Sequence, residues 1–456
     1  MEEVPNSEPE GARGALPRFP GTDDPASRVQ LEAALQSSDP GIRVRAASGL
    51  GSLRSPKSRK ALEQALEDPD WRVRAQAGYA LSWLRDRRST KALTHHLTQD
   101  ESALVRNACA MALGRIGDPS SGPALEGALD DESDRVRREA VLALERTGDP
   151  QAAEKVRRFL RDPARRVRIA AAIVAGVRRD RDGVDALLTL LRHSDPWERP
   201  ALLIALGRIG APEGASALVR AADDPSRWVR VCALHALAEM RAPGGADVAR
   251  TKLSDPSWSV RGAASLALGK LGNPEDEARL LPLLRDAHAW VRRGAVYGLG
   301  EIGARGALPR LRNALNDVDS EVRLAATWVL GHLTDRVALS RLVKLLETTP
   351  RGPPEAGRTL SLGDGAVRLV SDADSRQFDA LVQAVGVFAA SDSRARKAIT
   401  RARRTVPEEQ LDTQARLPTP LGRGMGTATL RQLFDGAGFR HASPSRKRRG
   451  SRSRPR

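Results

Sequence analysis

The chain has few cysteines and few aromatic residues. Among its 456 residues there are two cysteines, Cys109 and Cys232, which lie far apart and form no Cys-x-x-Cys pair. This count excludes a disulfide framework and a zinc site built from several thiolates, and it fits a reducing compartment. Aromatic residues make up only 3% of the chain, which is low for a β-sandwich or a β-barrel.

Long apolar runs are also missing. The longest, Ile169 to Val177, has nine residues and is too short to cross a bilayer. The N-terminus is acidic and has no apolar segment of the signal-peptide type. We therefore expect no membrane span and a cytoplasmic location.

The sequence carries no recognisable catalytic signature. It has no Gly-x-Ser-x-Gly, His-Glu-x-x-His or kinase motif, and the glycines of residues 422–426 lack the features of a phosphate-binding loop. Neither cysteine has a histidine within its motif, and we expect His95 and His96 to be solvated on a helix surface. The sequence therefore predicts no catalytic residue, no metal site and no cofactor.

What the chain does have is one repeated pattern. A Val-Arg pair, or its equivalent, recurs every 31 residues with a single step of 32, and the first residue is replaced by Ile42 and by Glu198 in two of the ten copies. A fixed period of this size is typical of a solenoid. Positions within a repeat are counted from the arginine of the pair. These arginines are Arg43, Arg74, Arg106, Arg137, Arg168, Arg199, Arg230, Arg261, Arg292 and Arg323.

Each repeat predicts two antiparallel helices. Apolar residues recur at positions −1, +3, +7 and +10, which form one face of an α-helix. Position +8 is Gly in seven of the ten repeats, and a sequence such as Gly-Asp-Pro at residues 117–119 then ends the helix. A second amphipathic segment and a short Asp-Pro turn lead to the next pair. The predicted fold is an all-α, right-handed α-solenoid of ten to eleven two-helix repeats.

Aspartate and arginine recur together, which predicts a charge ladder along the stack. In eight repeats an Asp stands six residues before the arginine, where it can cap free N–H groups at the start of the helix. We interpret these residues as structural. The predicted ladder consists of Asp68, Arg74, Asp100, Arg106, Asp131, Arg137, Asp162, Arg168, Asp224, Arg230, Asp255, Arg261, Asp286, Arg292, Asp317 and Arg323.

The repeats fill only part of the chain. Residues 1–24 form an acidic leader that we expect to be disordered, and residues 25–348 hold the repeats. Residues 349–376 break the period with an irregular insertion, in which alternation around a Gly-Asp-Gly turn favours a small β-hairpin. Residues 377–405 suggest a degenerate capping repeat, since a terminal repeat must not expose a core face. Residues 406–456 are expected to be mostly disordered and end in an Arg-rich segment.

Aromatic residues recur on one stripe of the Val-Arg helices, the helices that carry the repeated pair. Positions −2, +2, +5 and +9 share one helical face, so stacking would align them along a concave inner face. If exposed, this stripe is a groove for a protein or peptide partner; alternatively, its side chains pack between adjacent helices. The candidate partner-binding residues are Tyr79, Trp197, Trp228, Trp290, Tyr297 and Trp328.

Positive charge is concentrated in part of the repeats. The chain has 74 Lys and Arg against 57 Asp and Glu, a net charge of +17. Binding of a polyanion, either nucleic acid or an anionic surface, is therefore an alternative function. The candidate patch consists of Lys155, Arg157, Arg158, Arg161, Arg165 and Arg166. Position +9 forms no continuous basic stripe, because it mixes Arg115, Arg146, Arg208 and Lys270 with Glu239 and Glu301.

The pattern Asp-x-x-x-x-Val-Arg-x-x-Ala-x-x-Ala-Leu-Gly resembles HEAT-like repeats of the phycobilisome-lyase type over residues 25–348. The resemblance implies a binding scaffold, with an accessory bilin-lyase-like or chaperone role as a further alternative. Deoxyhypusine hydroxylase, built on similar repeats, holds its iron in His-Glu dyads, and none of the seven histidines here is followed by Glu. We therefore expect a non-enzymatic, monomeric scaffold that binds a protein partner; nucleic acid remains an alternative partner.

Overall fold

The computed structural model describes residues 25–349, 359–361, 367–369, 372–389 and 391–406. These residues are helical almost throughout and divide into two compact units after Ala205. None of the helices in this part of the chain combines the length and apolar character that a membrane span requires. The predicted disordered segments, residues 1–24 and nearly all of 406–456, lie outside the described residues.

The Val-Arg helices follow one another at the predicted period. Nine of these helices begin two residues before the Val position, so the pair lies in their first turn. The helix of the sixth repeat begins at the arginine of the pair, Arg199. They are α2 Pro40–Leu53, α4 Trp71–Leu84, α6 Ala103–Ile116, α8 Asp134–Arg146, α10 Arg165–Arg178, α12 Arg199–Ile209, α14 Arg227–Met240, α16 Trp258–Leu271, α18 Ala289–Glu301 and α20 Ser320–His332.

A shorter connecting helix separates each Val-Arg helix from the next. The connecting helices are α1 Pro25–Ala34, α3 Arg59–Ala65, α5 Thr90–Gln99, α7 Gly122–Gly127, α9 Ala152–Arg157, α11 Val184–His193, α13 Ala215–Ala221, α15 Gly245–Lys252, α17 Glu277–Leu280, α19 Leu308–Ala314 and α21 Leu339–Thr348. They are extended by 3-10 turns at Pro56–Ser58, Arg87–Ser89, Pro119–Ser121, Ala128–Asp130, Arg158–Arg161, Arg181–Gly183, Pro212–Gly214, Pro274–Asp276, Leu281–Arg285 and Arg305–Ala307.

Within each unit the Val-Arg helices pack directly on one another. In the first unit α2, α4, α6, α8 and α10 form such a row, and in the second unit α14, α16, α18 and α20 do the same. The connecting helices pack against the Val-Arg helices, and leucines such as Leu50, Leu62 and Leu81 are fully buried in the core. The predicted all-α solenoid of two-helix repeats is confirmed.

Small residues set the spacing between neighbouring Val-Arg helices. A Cβ placed on Gly114, at position +8, would lie 2.8 Å from the Cα of Ala143, at position +6 of the next repeat. Gly51 meets Ala80 in the same way, at 2.9 Å. Only a residue without a side chain allows the two backbones to come this close.

Many Val-Arg helices end at a residue with left-handed backbone conformation. Gly117 has this conformation, as the Gly-Asp motif predicts, with φ of 68°. Arg54 and Arg85 take the same conformation at the ends of α2 and α4, with φ of 51° and 53°. Arg179 and Arg241 do so after α10 and α14.

The end of the second unit departs from the repeat. Two short antiparallel strands, β1 Thr359–Ser361 and β2 Val367–Leu369, pair with Leu360 opposite Arg368. Helices α22 Asp372–Gly386 and α23 Ser393–Thr405 follow, and α22 packs on α20. A Cβ on Gly331 of α20 would lie 2.7 Å from the Cα of Ala384, so α22 takes the place of a further Val-Arg helix.

Candidate partner-binding site

Seven of the eight predicted ladder arginines, and Arg43 before them, connect their own repeat to the next one. Within the described residues, Arg323 bonds only to the carbonyls of its own turn. Arg74 donates from Nε and Nη2 to the carboxylate of Asp100, at 2.8 and 3.0 Å. Its Nη1 donates to the main-chain carbonyls of Asp68 and Pro69, which form the turn before its own helix. The same inter-repeat pair joins Arg43 to Asp68, Arg106 to Asp131, Arg137 to Asp162, Arg230 to Asp255, Arg261 to Asp286, and Arg292 to Asp317.

These pairs are buried and charged. The side chains of Arg74 and Asp100 are almost inaccessible to solvent. Burial alone would raise the pKa of Asp100, but hydrogen bonds from Arg74 and from the Ser102 N–H outweigh it and hold the pKa below its usual range. The carboxylate is therefore ionised at neutral pH, and its bonds with the guanidinium are charge-assisted.

The ladder aspartates differ from the expected helix caps. Asp68 accepts a hydrogen bond from the N–H of Asp70, two residues later, and so closes the turn before α4. Asp70 is the residue that caps the helix, by accepting from the N–H of Arg72. Asp317 likewise accepts from the N–H of Asp319, so the ladder aspartate lies two residues before the residue that caps the helix.

In the sixth repeat, a glutamate takes the place of the ladder aspartate. Arg168 donates to the carboxylate of Glu198, at 2.7 Å, because the usual ladder aspartate is missing there. Glu198 stands at the Val position and is 2% exposed. Asp195 pairs instead with Arg165, at 3.1 Å. Glu198 thus replaces Val at position −1 because Arg168 needs a carboxylate partner in this repeat.

A second row of polar contacts joins the connecting helices to the following repeat. Arg157 on α9 pairs with Asp180 after α10, and Arg312 on α19 pairs with Asp335 after α20. Arg250 on α15 pairs with Asp276 in the same way, and all three aspartates are buried. The sequence pattern does not predict this row, because an aspartate after a helix end is already explained by helix termination.

His96 does not have the solvated position expected for it. It is buried on α5, where Nε2 lies 3.1 Å from Glu67 and Nδ1 lies 3.5 Å from the ladder carboxylate of Asp100. His95, its neighbour, is exposed. The two histidines point to different surroundings because successive residues on a helix face in different directions.

Neither cysteine is placed as a nucleophile. Burial raises the pKa of the Cys109 thiol and of the Cys232 thiol, so both are protonated at neutral pH. Within the described residues, no three His, Cys, Asp or Glu side chains are grouped in a way that could hold a metal ion.

The aromatic residues at position +5 are not a partner surface. Tyr297 and Trp328 are 4% and 7% exposed, and their rings contact each other across α18 and α20 at 5.9 Å. Tyr79 is half-buried and accepts a hydrogen bond from Asn107 on the next Val-Arg helix. Tyr297 and Trp328 therefore belong to the packing between repeats, and Tyr79 contacts the next Val-Arg helix.

The tryptophans near the start of the Val-Arg helices are exposed. Trp197, Trp228 and Trp290 at position −2 are 77%, 56% and 37% exposed. In the second unit Trp228, Trp258 and Trp290 lie in the first turns of α14, α16 and α18, and we call these three side chains the tryptophan row. Position −2 precedes the part of the helix that its neighbours cover, which leaves the rings open to solvent.

Trp290 is held in a defined position on its neighbour. Its ring lies over Gly262 of α16, where a Cβ would collide with the indole. The guanidinium of Arg293 lies 4.2 Å from the ring centroid, in a cation–π contact. The exposed part of the ring is therefore presented in a fixed orientation.

The candidate polyanion patch is largely neutralised by local pairs. Lys155 contacts Glu126 and Asp149, while Arg157 contacts Asp180. Arg158 pairs with Asp130, Arg165 with Asp195, and Arg166 with Asp134. Of the six residues, Arg161 has no carboxylate partner in the described part of the chain. The patch also divides between α9 with its 3-10 turn and the start of α10, so its members do not share one helix.

Comparison with known proteins identifies the repeat. Five overlapping matches to the family described as HEAT repeats cover residues 29–114, 97–175, 158–238, 216–285 and 277–362. No curated protein matches the chain by sequence.

Several solved structures are similar to the chain. Yeast importin-beta (Kap95p) is 14% identical with a TM-score of 0.53, over 82% of this chain and 58% of importin-beta. The CpcE–CpcF complex of phycocyanin lyase from Nostoc is 24% identical with a TM-score of 0.37, over 58% and 99% of the two chains. An engineered protein is 21% identical with a TM-score of 0.38, over 68% and 99%. The importin likeness shows the fold alone, and the family matches span most of the repeats: the chain belongs to the HEAT repeat family.

Proposed function

We propose that this chain is a non-enzymatic scaffold that binds a protein partner through the exposed first turns of its Val-Arg helices. One observation carries the proposal: of the seven tryptophans in the sequence, six are more than a third exposed, and only Trp328 is buried. Tryptophan is mostly buried in folded proteins, and exposed tryptophans are enriched among the anchors of protein interfaces.

The residues that join the repeats are different from the exposed tryptophans, which supports this proposal. Ladder arginines donate to the ladder aspartates and to main-chain carbonyls, so both residue types are engaged in holding the repeats together. The tryptophan row lies outside that network, on successive helices of one unit. Its three rings give a partner large, rigid apolar contacts that lose little side-chain entropy on binding.

Replacement of two row members tests the proposal. The full chain and its Trp228→Ala/Trp290→Ala variant would each be used to capture partners from the native cell, with identification by mass spectrometry. We expect the double variant to lose a partner that the natural chain retains, because each buried tryptophan anchor contributes about 2 kcal/mol or more to binding.

A matched control separates binding from folding. Val318 is the most exposed large apolar side chain of the described residues and lies in a turn outside the row, so Val318→Ala should retain the partner. Both variants should keep the helical content of the natural chain by circular dichroism. Capture of the same proteins by the natural chain and by the tryptophan variant would contradict the proposed function.

A further inference from the structure

A groove in the first unit carries positive charge that is not neutralised by the protein itself. It has a volume of about 910 Å³ and extends from the end of α2 along the C-terminal halves of α4 and α6 to α8, which lines it from Arg138 to Arg146. Position +9 of three successive repeats contributes Trp83, Arg115 and Arg146. We call this feature the Trp83 groove.

Five arginines line the Trp83 groove against one carboxylate. The carboxylate, Glu139, is buried and lies 3.0 Å from Arg138 and 3.9 Å from Arg146. The other three arginines, Arg54, Arg85 and Arg115, have no carboxylate partner within the described residues. The groove arginines differ in this from the ladder arginines, because every ladder arginine that pairs with a carboxylate also donates to main-chain carbonyls.

An aromatic ring organises two of these guanidiniums. The guanidinium carbons of Arg54 and Arg115 lie 4.8 and 5.0 Å from the centroid of the half-exposed Trp83 ring. Such cation–π contacts orient a guanidinium and leave N–H groups available. Arg115 also donates from Nη1 to the Ser82 Oγ, at 3.4 Å, and keeps its other N–H groups for a ligand. Guanidinium groups held in this way are suited to carboxylate oxygens, which they can bind with two parallel hydrogen bonds.

Two of the groove arginines lie at a helix end where other repeats have glycine. Arg54 and Arg85 have left-handed backbone conformation, which disfavours residues with a Cβ, and Gly117 and Gly148 have positive φ at the same position of the next two repeats. The negative ends of helix dipoles attract cations and could alone account for Arg115 and Arg146. Arginine also takes the left-handed conformation at Arg179 and Arg241, outside the groove, so the backbone alone assigns no role to Arg54 and Arg85. What distinguishes Arg54 is its contact with the Trp83 ring.

The floor of the Trp83 groove is apolar. Met111 and Leu142, both at position +5, are half-buried between the charged side chains. Beyond the groove, Arg165 and Arg166 are paired with Asp195 and Asp134, so the free positive charge does not continue as a stripe. Nucleic acid would need such a stripe along its phosphates, whereas a peptide with alternating acidic and apolar residues matches a charged rim over an apolar floor.

We propose that the Trp83 groove binds an acidic peptide segment of a protein partner, with its carboxylates on the groove arginines and apolar side chains over Met111 and Leu142. The inference deepens the proposed scaffold function, on which it rests, by giving the chemistry of the partner. Three helix spacings separate α2 from α8, about 24–30 Å, and an extended segment of about eight residues covers this length.

The test uses the full chain and a fluorescein-labelled peptide of four Glu-Leu pairs, with binding followed by fluorescence anisotropy. In the variant Arg54→Gly/Arg85→Gly the affinity should fall by about tenfold or more, because two charge-assisted contacts are lost. Its melting temperature should be equal to or above that of the natural chain, since glycine relieves the left-handed strain. A loss of binding can then not be attributed to unfolding.

The chain supplies a matched control. Arg179 and Arg241 are exposed, have the same backbone conformation and lie outside the groove. The variant Arg179→Gly/Arg241→Gly therefore makes the same change in charge and backbone, and its affinity for the peptide should change by less than about twofold. An equal loss in both variants would show attraction by net charge alone and overturn the proposal.

Two further outcomes distinguish other occupants and the scaffold function. Tighter binding of an eight-nucleotide single-stranded DNA than of the peptide, lost in the Arg54/Arg85 variant, would assign the groove to nucleic acid and overturn the proposal. A peptide with Gln in place of Glu should not bind, and equal binding would also overturn it. Trp228→Ala/Trp290→Ala should leave peptide binding intact, so the groove can fail while the tryptophan row still captures a partner, or the reverse.

Discussion

At the residue scale, the ladder explains why every repeat carries arginine and none carries lysine in the repeated pair. Arg106 uses Nε and Nη2 for the carboxylate of Asp131 and Nη1 for the carbonyls of Asp100 and Glu101. These four acceptors lie on two sides of one planar group. A lysine ammonium is a single point charge and cannot reach both sides at once, so the position requires a guanidinium.

The ladder contact can be tested at Arg137. The variant Arg137→Ala removes bonds to Asp162 and to two carbonyls and leaves a buried carboxylate without its cation. We expect it to lower the free energy of unfolding by about 1–3 kcal/mol. Denaturation by urea, followed by circular dichroism, measures this change.

The control for this variant lies on the same helix. Arg135 is exposed in the first turn of α8, so Arg135→Ala removes the same charge and should change the free energy of unfolding by no more than about 0.5 kcal/mol. If Arg137→Ala were as stable as Arg135→Ala, the ladder arginine would not be structural, and a role in ligand binding would have to be considered.

At the element scale, the helices could be predicted from the sequence, but the exposure of their faces could not. Positions −2 and +5 are seven residues apart and lie on one stripe, so periodicity treats Trp290 and Tyr297 alike. The neighbouring helices enclose the middle of α18 and cover its first turn only in part, which buries Tyr297 and leaves Trp290 37% exposed. The difference in exposure between Trp290 and Tyr297 depends on where two neighbouring helices cross. The residue pattern within one repeat does not specify that crossing point.

The close approach of Val-Arg helices gives a prediction for Gly114. A methyl group there would collide with the backbone of Ala143 on α8, so the helices would have to move apart. Although alanine favours a helix over glycine by about 1 kcal/mol, we expect Gly114→Ala to be destabilising by about 1–3 kcal/mol, as for overpacked cores. Thermal unfolding of the full chain checks the sign.

At Gly127 we expect the same substitution, glycine to alanine, to stabilise the chain. Gly127 is a helical residue of α7, and a Cβ there would meet no atom within 4 Å. Gly127→Ala should therefore stabilise the chain by about 0.5–1 kcal/mol. A stabilising Gly114→Ala would show that the helices are not held at this spacing.

At the scale of the whole molecule, two contacts recur between repeats: the arginine–aspartate pair of the ladder and the close approach of neighbouring Val-Arg helices. Stability is therefore close to a sum over neighbouring repeats. The family and the period were readable from the sequence because every copy supports the same pattern. The Trp83 groove was not, since position +9 averaged over all repeats mixes Arg115 and Arg146 with Glu239 and Glu301. Function in such a chain lies where single repeats depart from the average, as Trp83 does at position +9.

The repeated ladder also predicts how stability depends on pH. The pKa values of the ladder carboxyls Asp68, Asp100, Asp162, Asp286 and Asp317 are lowered in the folded chain from the ordinary value of 3.8, because hydrogen bonds from arginines and N–H groups outweigh burial. As the pH falls, the unfolded chain binds protons first. The stabilisation by these groups is therefore complete above the unfolded pKa and is lost as the pH falls through the folded values.

Urea denaturation of the full chain from about pH 7 to about pH 3 should show the midpoint falling steeply below about pH 5. Asp100→Asn removes one of the contributing carboxyls, so it should lower the midpoint at neutral pH and reduce the difference between neutral and acidic conditions. Glu213 is exposed in a turn, and Glu213→Gln should leave both unchanged. Mutual repulsion in a chain of net charge +17 also grows in acid, but it acts equally on both variants. An equal pH dependence in Asp100→Asn and Glu213→Gln would therefore assign the acid sensitivity to net charge and remove the ladder as its cause.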